Sequence, residues 1–462
     1  MNTLLKASTR VAIVAPRFMA TNSQAPEPRE RINLKPAGDP HKSFYHQDLV
    51  VIPAVGSELR PKPDPNDVLK FGHHYADHMA FADWSERDGW THPQITPLRN
   101  LSIHPGAKVL HYATELFEGM KAYRGVDNKI RLFRPDKNMA RMRRTAHRAA
   151  LPDFDSEELI KIIIDQIALD QEWVPYSSTS SLYVRPTLIG TDPTLGVGFP
   201  LEAKLFVLTG PVGQYYSTGF QPVRLLADPQ YVRAFPGGVG AFKMGCNYAP
   251  TIWVGKEAAA RNCQQVLWLH GENEEVTEVG TMNIFVYWKN EEGEMELITP
   301  PLERGLILPG VTRDSLLELA REWGEFKVSE KSFTMHDLKK ALDEGRLLEM
   351  FGAGTACVVS PIGEVLYNNR EKGLHETWQV PTMKNTPNLM QRFYEAINDI
   401  QVSSIVSSNR TNQENLIVYV NSHYLLRLRK SFLKLFISTQ NHQNSISFQY
   451  GRIMHPTWTR TI

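Results

Sequence analysis

The sequence predicts an α+β fold built as two domains, on three observations. The 462 residues exceed what a single hydrophobic core usually serves. Strand-like and helix-like periods are mixed, with several hairpin spacings and no regular strand–helix alternation, which disfavours a doubly wound sheet. A punctuated stretch, residues 211–222, carries Pro211, Gly213, Gly219 and Pro222 just after Gly210 and marks an interdomain connection.

The elements follow in chain order. Residues 26–66 are rich in Pro and charge and read as a poorly ordered lead-in, with globular patterning from about residue 67. Asn128–Phe133 reads as a strand and Asn138–Ala150 as a basic helix stopped by Leu151-Pro152. Ser156–Leu169 has helical period, with Leu159, Ile162, Ile163 and Ile167 on one face and Glu157 and Glu158 in its first turn. Ser181–Arg185, Ala203–Thr209, Val223–Ala227, Gln265–Leu269, Asn283–Trp288 and Glu296–Ile298 read as strands. Thr312–Trp323 is a helix whose apolar face is Leu316, Leu319, Ala320 and Trp323, with Asp314 placed well for the helix dipole.

Composition excludes several classes. A formal net charge of +1 gives no footprint for nucleic acid or an acidic membrane. Three scattered cysteines, Cys246, Cys263 and Cys357, make neither a disulfide framework nor a zinc site. The longest apolar run, Leu416–Ile437, is broken by His423, Arg427, Lys430 and other polar residues, so no membrane span is expected. Residues 1–25 hold Lys6, Arg10 and Arg17 with no acid, a composition that suits a mitochondrial presequence, with a cytoplasmic location as the alternative.

Five constellations could carry chemistry. Lys243 stands among Gly237, Gly238, Gly240 and Gly245; Phe242 and Met244 flank it, so it is no phosphate-cradling P-loop. A lysine displayed in a tight cavity suits covalent capture of a carbonyl, although such loops more often carry a solvated lysine. Glu278 stands at a strand–turn junction before Ile284–Trp288, where it could pair with a cationic ring nitrogen or face water. Leu308-Pro309-Gly310-Val311-Thr312 opens a helix and offers free N–H groups to an anion, or an ordinary N-cap. Phe351–Cys357, with Gly352, Gly354 and Thr355, is a close-packed turn. In the N-terminal half, Leu110–Tyr123 mixes aromatics with acid, Arg141 is a candidate phosphate ligand within a basic run, and Tyr183 and Arg185 share one strand face.

The order of these features resembles the branched-chain amino acid aminotransferases, of the pyridoxal-phosphate group called fold type IV. The resemblance spans about Phe71 to Gln401 and rests on long segments, among them ELFEGMKAYRG, SLYVRPTLIGTDPTLGV, YVRAFPGGVGAFKMGCNY, EVGTMNIFVYW, LILPGVTR and MFGAGTACVV. It implies a small α+β domain and a larger β-rich domain with pyridoxal 5'-phosphate between them, in a homodimer. It makes Lys243 the lysine that carries the cofactor and moves the proton. It makes Tyr248 the partner of the cofactor's phenolic oxygen, Glu278 the partner of its ring nitrogen, and Arg141, Val311, Thr312 and Thr355 its phosphate contacts. Phe71, Phe117, Tyr183 and Thr281, the last also a cofactor contact, fall in the substrate pocket. Ala356 lies near the substrate carboxylate and Arg185 at the pocket mouth, suited to the distal carboxylate of glutamate. Tyr112, Leu195 and Val197 match residues given across the dimer interface. The implied reaction takes the amino group of L-leucine, L-isoleucine or L-valine to 2-oxoglutarate. A D-amino-acid aminotransferase, an aminodeoxychorismate lyase or an inactive cofactor-binding protein are the alternatives.

Two departures stand out. Ser360 replaces the second cysteine of a Cys-Val-Val-Cys motif that begins at Cys357, which removes an intramolecular switch there. Residues 402–449 separate Asp399-Ile400-Gln401 from Tyr450-Gly451-Arg452, which the family joins directly. That stretch reads as translated intron, which is expected to have no packed place, with a genuine lineage-specific insertion as the alternative. The expected organisation is a lead-in over 1–42, a small domain over 43–210, the connection 211–222, a cofactor domain over 223–401, the insert 402–449 and a C-terminal end over 450–462.

Overall fold

The computed structural model describes residues 37–64, 67–177, 179–213, 220–384 and 388–402, together with the backbone of 417–420. Two sheets dominate it. The first orders its strands as Val50–Val51, Gln94–Pro97, His78–Ser85, Glu202–Val212, Ser181–Gly190, Met120–Arg124, Ile130–Phe133 and Ile417–Val420; Gly89–Trp90 and Glu115–Phe117 pair beside this path. The second runs Glu275–Val279, Gln265–His270, Val223–Ala227, Val358–Asn369, Leu347–Gly354, Met282–Lys289, Met295–Thr299 and Lys327–Glu330, with Leu374–Gln379 beside it. Its first strand also pairs with Met282–Lys289, so six strands close on themselves and lose their edges. The α+β class expected from the sequence is the observed one.

Seven α-helices cover the sheets among the described residues: α1 (Lys108–Tyr112), α2 (Pro135–Arg148), α3 (Ser156–Leu169), α4 (Ala249–Ala259), α5 (Val311–Trp323), α6 (Met335–Asp343) and α7 (Leu389–Val402). α2 begins earlier than its pattern suggests. Pro135 at the first turn needs no N–H partner, and Arg134 turns the chain in the left-handed region at φ 49°. The cap of α3 is Asp155, whose carboxylate accepts the N–H groups of Glu157 and Glu158. α5 stops at Gly324, left-handed at φ 63°.

Four apolar clusters occur among the described residues, and three of them hold this frame. In one, α2 and α3 lay Met139, Met142, Ile162 and Ile163 against Leu132, Leu182 and Val207 of the first sheet. In another, Leu225, Leu267, Val279, Ile284 and Val365 fill the closed strands of the second. The third joins the two sheets: Phe285, Phe351 and Phe393 pack with α5 and α7 and reach Tyr123 and Phe133.

Two expectations change. The lead-in is shorter than residues 26–66, because Phe44 is buried against Trp90 and Phe154, and Val50–Val51 pair with Gln94–Ile95. Residues 1–36, and 214–219 within the 211–222 connection, lie outside the described residues. Within the insert, Ile417–Val420 pair in parallel with Ile130–Phe133, against the expectation of no place in the fold. A strand edge offers unpaired N–H and C=O groups to any chain within reach. The rest of 403–449, and 450–462, are outside the described residues. No described helix is long and apolar enough to cross a membrane.

Candidate active site

Lys243 lies in a turn-rich segment before the short 3-10 turn Gly245–Asn247. Asn247 Nδ2 donates to the carbonyls of Val239 and Phe242, both at 2.8 Å, which folds the glycine loop onto the residues after it. Gly240 serves this packing: a Cβ there would stand 2.4 Å from the Ala234 Cβ. The Lys243 N–H donates to Thr145 Oγ1 at 3.2 Å, and the Lys243 carbonyl accepts the Phe117 N–H at 3.2 Å. The lysine of the second half is thereby held against α2 and the first sheet. Its Nζ lies 3.3 Å from the Tyr248 hydroxyl and 4.9 Å from the centre of the Phe117 ring. Burial of this ammonium, with Arg141 as a nearby like charge, lowers its pKa to about 8. Burial, then Glu278, pushes Tyr248 up to about 12.

The strand Glu275–Val279 turns at Gly280, φ 56°, and returns as Met282–Lys289. That tight hairpin places Glu278 inside the cleft, where it is buried. Oε1 accepts the Leu308 N–H at 2.7 Å and Asn283 Nδ2 at 3.2 Å. Oε2 is ion-paired to Arg233 Nε at 3.1 Å. Burial raises the Glu278 pKa and Arg233 opposes the rise.

Arg141 comes from the buried face of α2. Nε and Nη2 donate to the two carboxylate oxygens of Glu118 at 2.7 and 2.8 Å, and Nη1 donates to the Pro309 carbonyl at 2.9 Å. Three of its five N–H groups are thus committed, and one on each terminal nitrogen is not used by these bonds. α5 begins beside it with Gly310 as a cap that has no side chain, so its first N–H groups are open to the cleft. Thr312 lies inside the helix, not at its cap.

One cavity of about 230 Å3 joins these parts. Its walls include every cofactor residue expected from the sequence: Arg141, Lys243, Tyr248, Glu278, Thr281, Val311, Thr312 and Thr355. They also include Phe71, Phe117, Tyr183, Arg185 and Ala356 of the expected pocket. Phe71 and Tyr183 meet edge to face at 4.7 Å. The Arg185 guanidinium lies 4.6 Å from the Phe117 ring centre and donates to the Tyr183 hydroxyl at 3.1 Å. Its buried Nε finds no partner among the described residues. Tyr112, Leu195 and Val197 do not line the cavity. They are exposed on the outside, where the Tyr112 hydroxyl meets the Leu195 carbonyl.

Sequence reasoning left three polar residues of this site without a role. Glu118 holds Arg141, Arg233 pairs with Glu278, and Lys121 donates to the Ala356 carbonyl at 2.8 Å. All three stand inside the quoted segments, yet each partner is distant in sequence and only the fold brings it near.

A lysine at the centre of a cleft between a mixed sheet and a closed β-structure, with a helix start on one wall, defines the class. Residues 115–365 match the family described as amino-transferase class IV, and the chain belongs to that family. It is 65% identical over 395 residues to the cytosolic branched-chain-amino-acid aminotransferase of Caenorhabditis elegans, covering 85% of this chain and 95% of that protein. It is 52% identical over 360 residues to the mitochondrial branched-chain-amino-acid aminotransferase of Rattus norvegicus, covering 78% and 89%. Among solved structures, the branched-chain aminotransferase of Thermoproteus uzoniensis has the same fold, at TM-score 0.55 and 23% identity over 71% of this chain and 96% of that one.

Proposed function

We propose that this protein is a pyridoxal-phosphate-dependent branched-chain-amino-acid aminotransferase that moves the amino group of L-leucine, L-isoleucine or L-valine to 2-oxoglutarate. The observation that carries this reading is the placement, in one cleft, of a lysine with lowered pKa, a buried carboxylate and an anion cradle. The donor set fits the cofactor: Arg141 and the start of α5 would hold its phosphate, Tyr248 its phenolic oxygen and Glu278 its ring nitrogen. When bound, pyridoxal phosphate supplies the carbonyl that accepts the amino group and the electron sink for the reacting carbon.

The chain's own residues do the rest. Lys243 Nζ, neutral above about pH 8, takes the proton from the substrate Cα as general base and later returns it. Glu278, anchored by Arg233 and the Leu308 N–H, keeps a negative charge fixed in the cleft, where it costs no reorganisation during reaction. Phe71, Phe117 and Tyr183 surround an apolar side chain. Arg185, with a buried N–H unused, receives the distal carboxylate of glutamate or 2-oxoglutarate. An apolar pocket separates side chains by only roughly 1–3 kcal/mol per methylene, so all three branched substrates are accepted.

The functional unit is a homodimer, with 43–210 and 223–401 as the two domains of each copy. The exposed apolar residues Leu195 (69%) and Val197 (86%), beside Tyr112, support this assignment. Leu195→Asp with Val197→Asp should convert a dimer to monomer by light scattering. The basic, acid-free residues 1–25 favour the mitochondrial matrix, and fusion of residues 1–36 to a fluorescent protein tests it. The decisive assay is transamination with 2-oxoglutarate across L-leucine, L-isoleucine, L-valine and D-alanine. Turnover of D-alanine alone would overturn the proposal.

A further inference from the structure

Lys121 sits in the strand Met120–Arg124 of the first sheet and is 6% exposed. Its Nζ donates at 2.8 Å to the carbonyl of Ala356, which belongs to the turn joining Leu347–Gly354 to Val358–Asn369 in the second sheet. That turn carries Thr355 and Ala356 into the cleft. Among the described residues no carboxylate pairs with this ammonium, although an ammonium has three N–H groups to satisfy. Burial lowers its pKa to about 8. A carbonyl is therefore its one identified partner, and the contact joins the two sheets across the site.

A second observation points to the same place. Behind Lys121 is a small cavity of about 10 Å3, also lined by Asn138, Thr312, Thr355 and Gln401. Gln401 belongs to α7 and is 5% exposed, and its Oε1 meets no hydrogen-bond donor among the described residues. A buried amide oxygen without a donor is costly. A cavity of this size that several polar groups line suits a single water.

We propose that Lys121 is a positioning residue: it fixes the Thr355–Ala356 turn, and one buried water between Lys121 Nζ and Gln401 Oε1 ties it to the C-terminal helix. The backbone of the turn is then held ready for the substrate carboxylate, and α7 supports the site without touching substrate. The role in substrate binding rests on the aminotransferase reading. Val402, where the insert begins, directly follows Gln401, so the junction lies next to this support.

The test uses the full-length holoenzyme and the variants Lys121→Met, Lys121→Arg, Gln401→Leu and Gln401→Glu. Binding of 4-methylvalerate, a branched carboxylate with no amino group, is followed by the change in visible absorption and set beside KM and kcat for leucine. Gln401→Leu should raise the 4-methylvalerate Kd and the leucine KM by about five-fold and leave kcat within about two-fold, the pattern of lost uniform binding. Lys121→Met should raise both by about ten-fold or more, and Lys121→Arg should recover part of the loss. Gln401→Glu, which can accept from the same ammonium, should stay near wild type. A crystal structure of the wild type should show the water in contact with both side chains. Unchanged 4-methylvalerate binding in Gln401→Leu, or a wild-type crystal without that water, overturns the proposal even if Lys121→Met fails to fold. If the wild type transaminates no substrate, the proposed function fails, while the crystal still decides the water and the clamp.

Discussion

Glu118 holds Arg141 by both carboxylate oxygens, and neither side chain is open to solvent. Burial alone would raise the Glu118 pKa, but Arg141 outweighs it and the carboxyl is held below its ordinary 4.5. The pair orients the guanidinium that the cofactor phosphate would meet. Because Arg141 also donates to Pro309, the same group links α2 to the start of α5.

Replacing Glu118 with Gln keeps the shape and leaves a buried cation unpaired. A loss of about 3–5 kcal/mol of stability is expected, with weaker retention of pyridoxal phosphate. Denaturant melts and cofactor titration of the apoprotein measure the two. The wild-type pair should also lose its contribution as pH falls through the lowered carboxyl pKa, because a depressed acid stabilises only while ionised. An acid limb of stability identical in wild type and Glu118→Gln would refute the assignment.

Lys243 should capture pyridoxal phosphate as the neutral amine. Its pKa of about 8 comes from burial first and Arg141 second, with Glu118 and Tyr183 opposing and Arg185 adding to the fall. The capture rate of the apoprotein should rise with pH and level off above about 8, followed at the visible absorption of the lysine-bound cofactor. Lys243→Ala should lack that absorption and all transamination. A capture rate still climbing toward pH 10 would show an ordinary exposed lysine instead.

Arg233 should set the acid limit of turnover through Glu278. Its cation opposes the rise that burial causes in the Glu278 pKa, so its removal lets the carboxyl take a proton at higher pH. Arg233→Met should shift the acid limb of the kcat profile upward. Glu278→Gln should lower kcat by roughly 10²–10³-fold, the scale of a lost fixed charge at a reacting centre. An unmoved acid limb in Arg233→Met would separate the two residues.

Arg185 should divide the two half-reactions. Arg185→Met should raise KM for 2-oxoglutarate by about ten-fold or more and leave the single-turnover reaction with leucine within about three-fold. Equal losses on both substrates would mean that Arg185 acts through Tyr183 and Phe117, which it touches, and not on a distal carboxylate.

Much of this site is legible in the sequence. Lys243, Tyr248 and Glu278 stand in long segments whose order carries the family resemblance, and all three meet in the cavity. The helix Ser156–Leu169 matches its periodic pattern end to end, because an amphipathic stripe and a first-turn acid are local properties. Val223–Ala227 likewise keeps its boundaries. Others drifted. The strand read as Ser181–Arg185 extends through Pro186 to Gly190, because its pairing with Glu202–Val212 overrides the local break that proline signals. The turn Phe351–Cys357 is half strand, since Phe351–Ala353 pair with the hairpin that carries Glu278 and Gly354 pairs with Val358.

Composition and periodicity by themselves determined the α+β class, and the family resemblance carried by the order of the motifs supplied the central lysine and most residues that line its cleft. These follow from near neighbours along the chain and from unbroken segments. Only the tertiary structure decided that Arg141 is already gripped by Glu118, that Glu278 shares its charge with Arg233, and that Lys121 spans the sheets to Ala356. Those contacts join distant stretches through burial. A buried charge must find a partner in space, and its position along the sequence does not say which one.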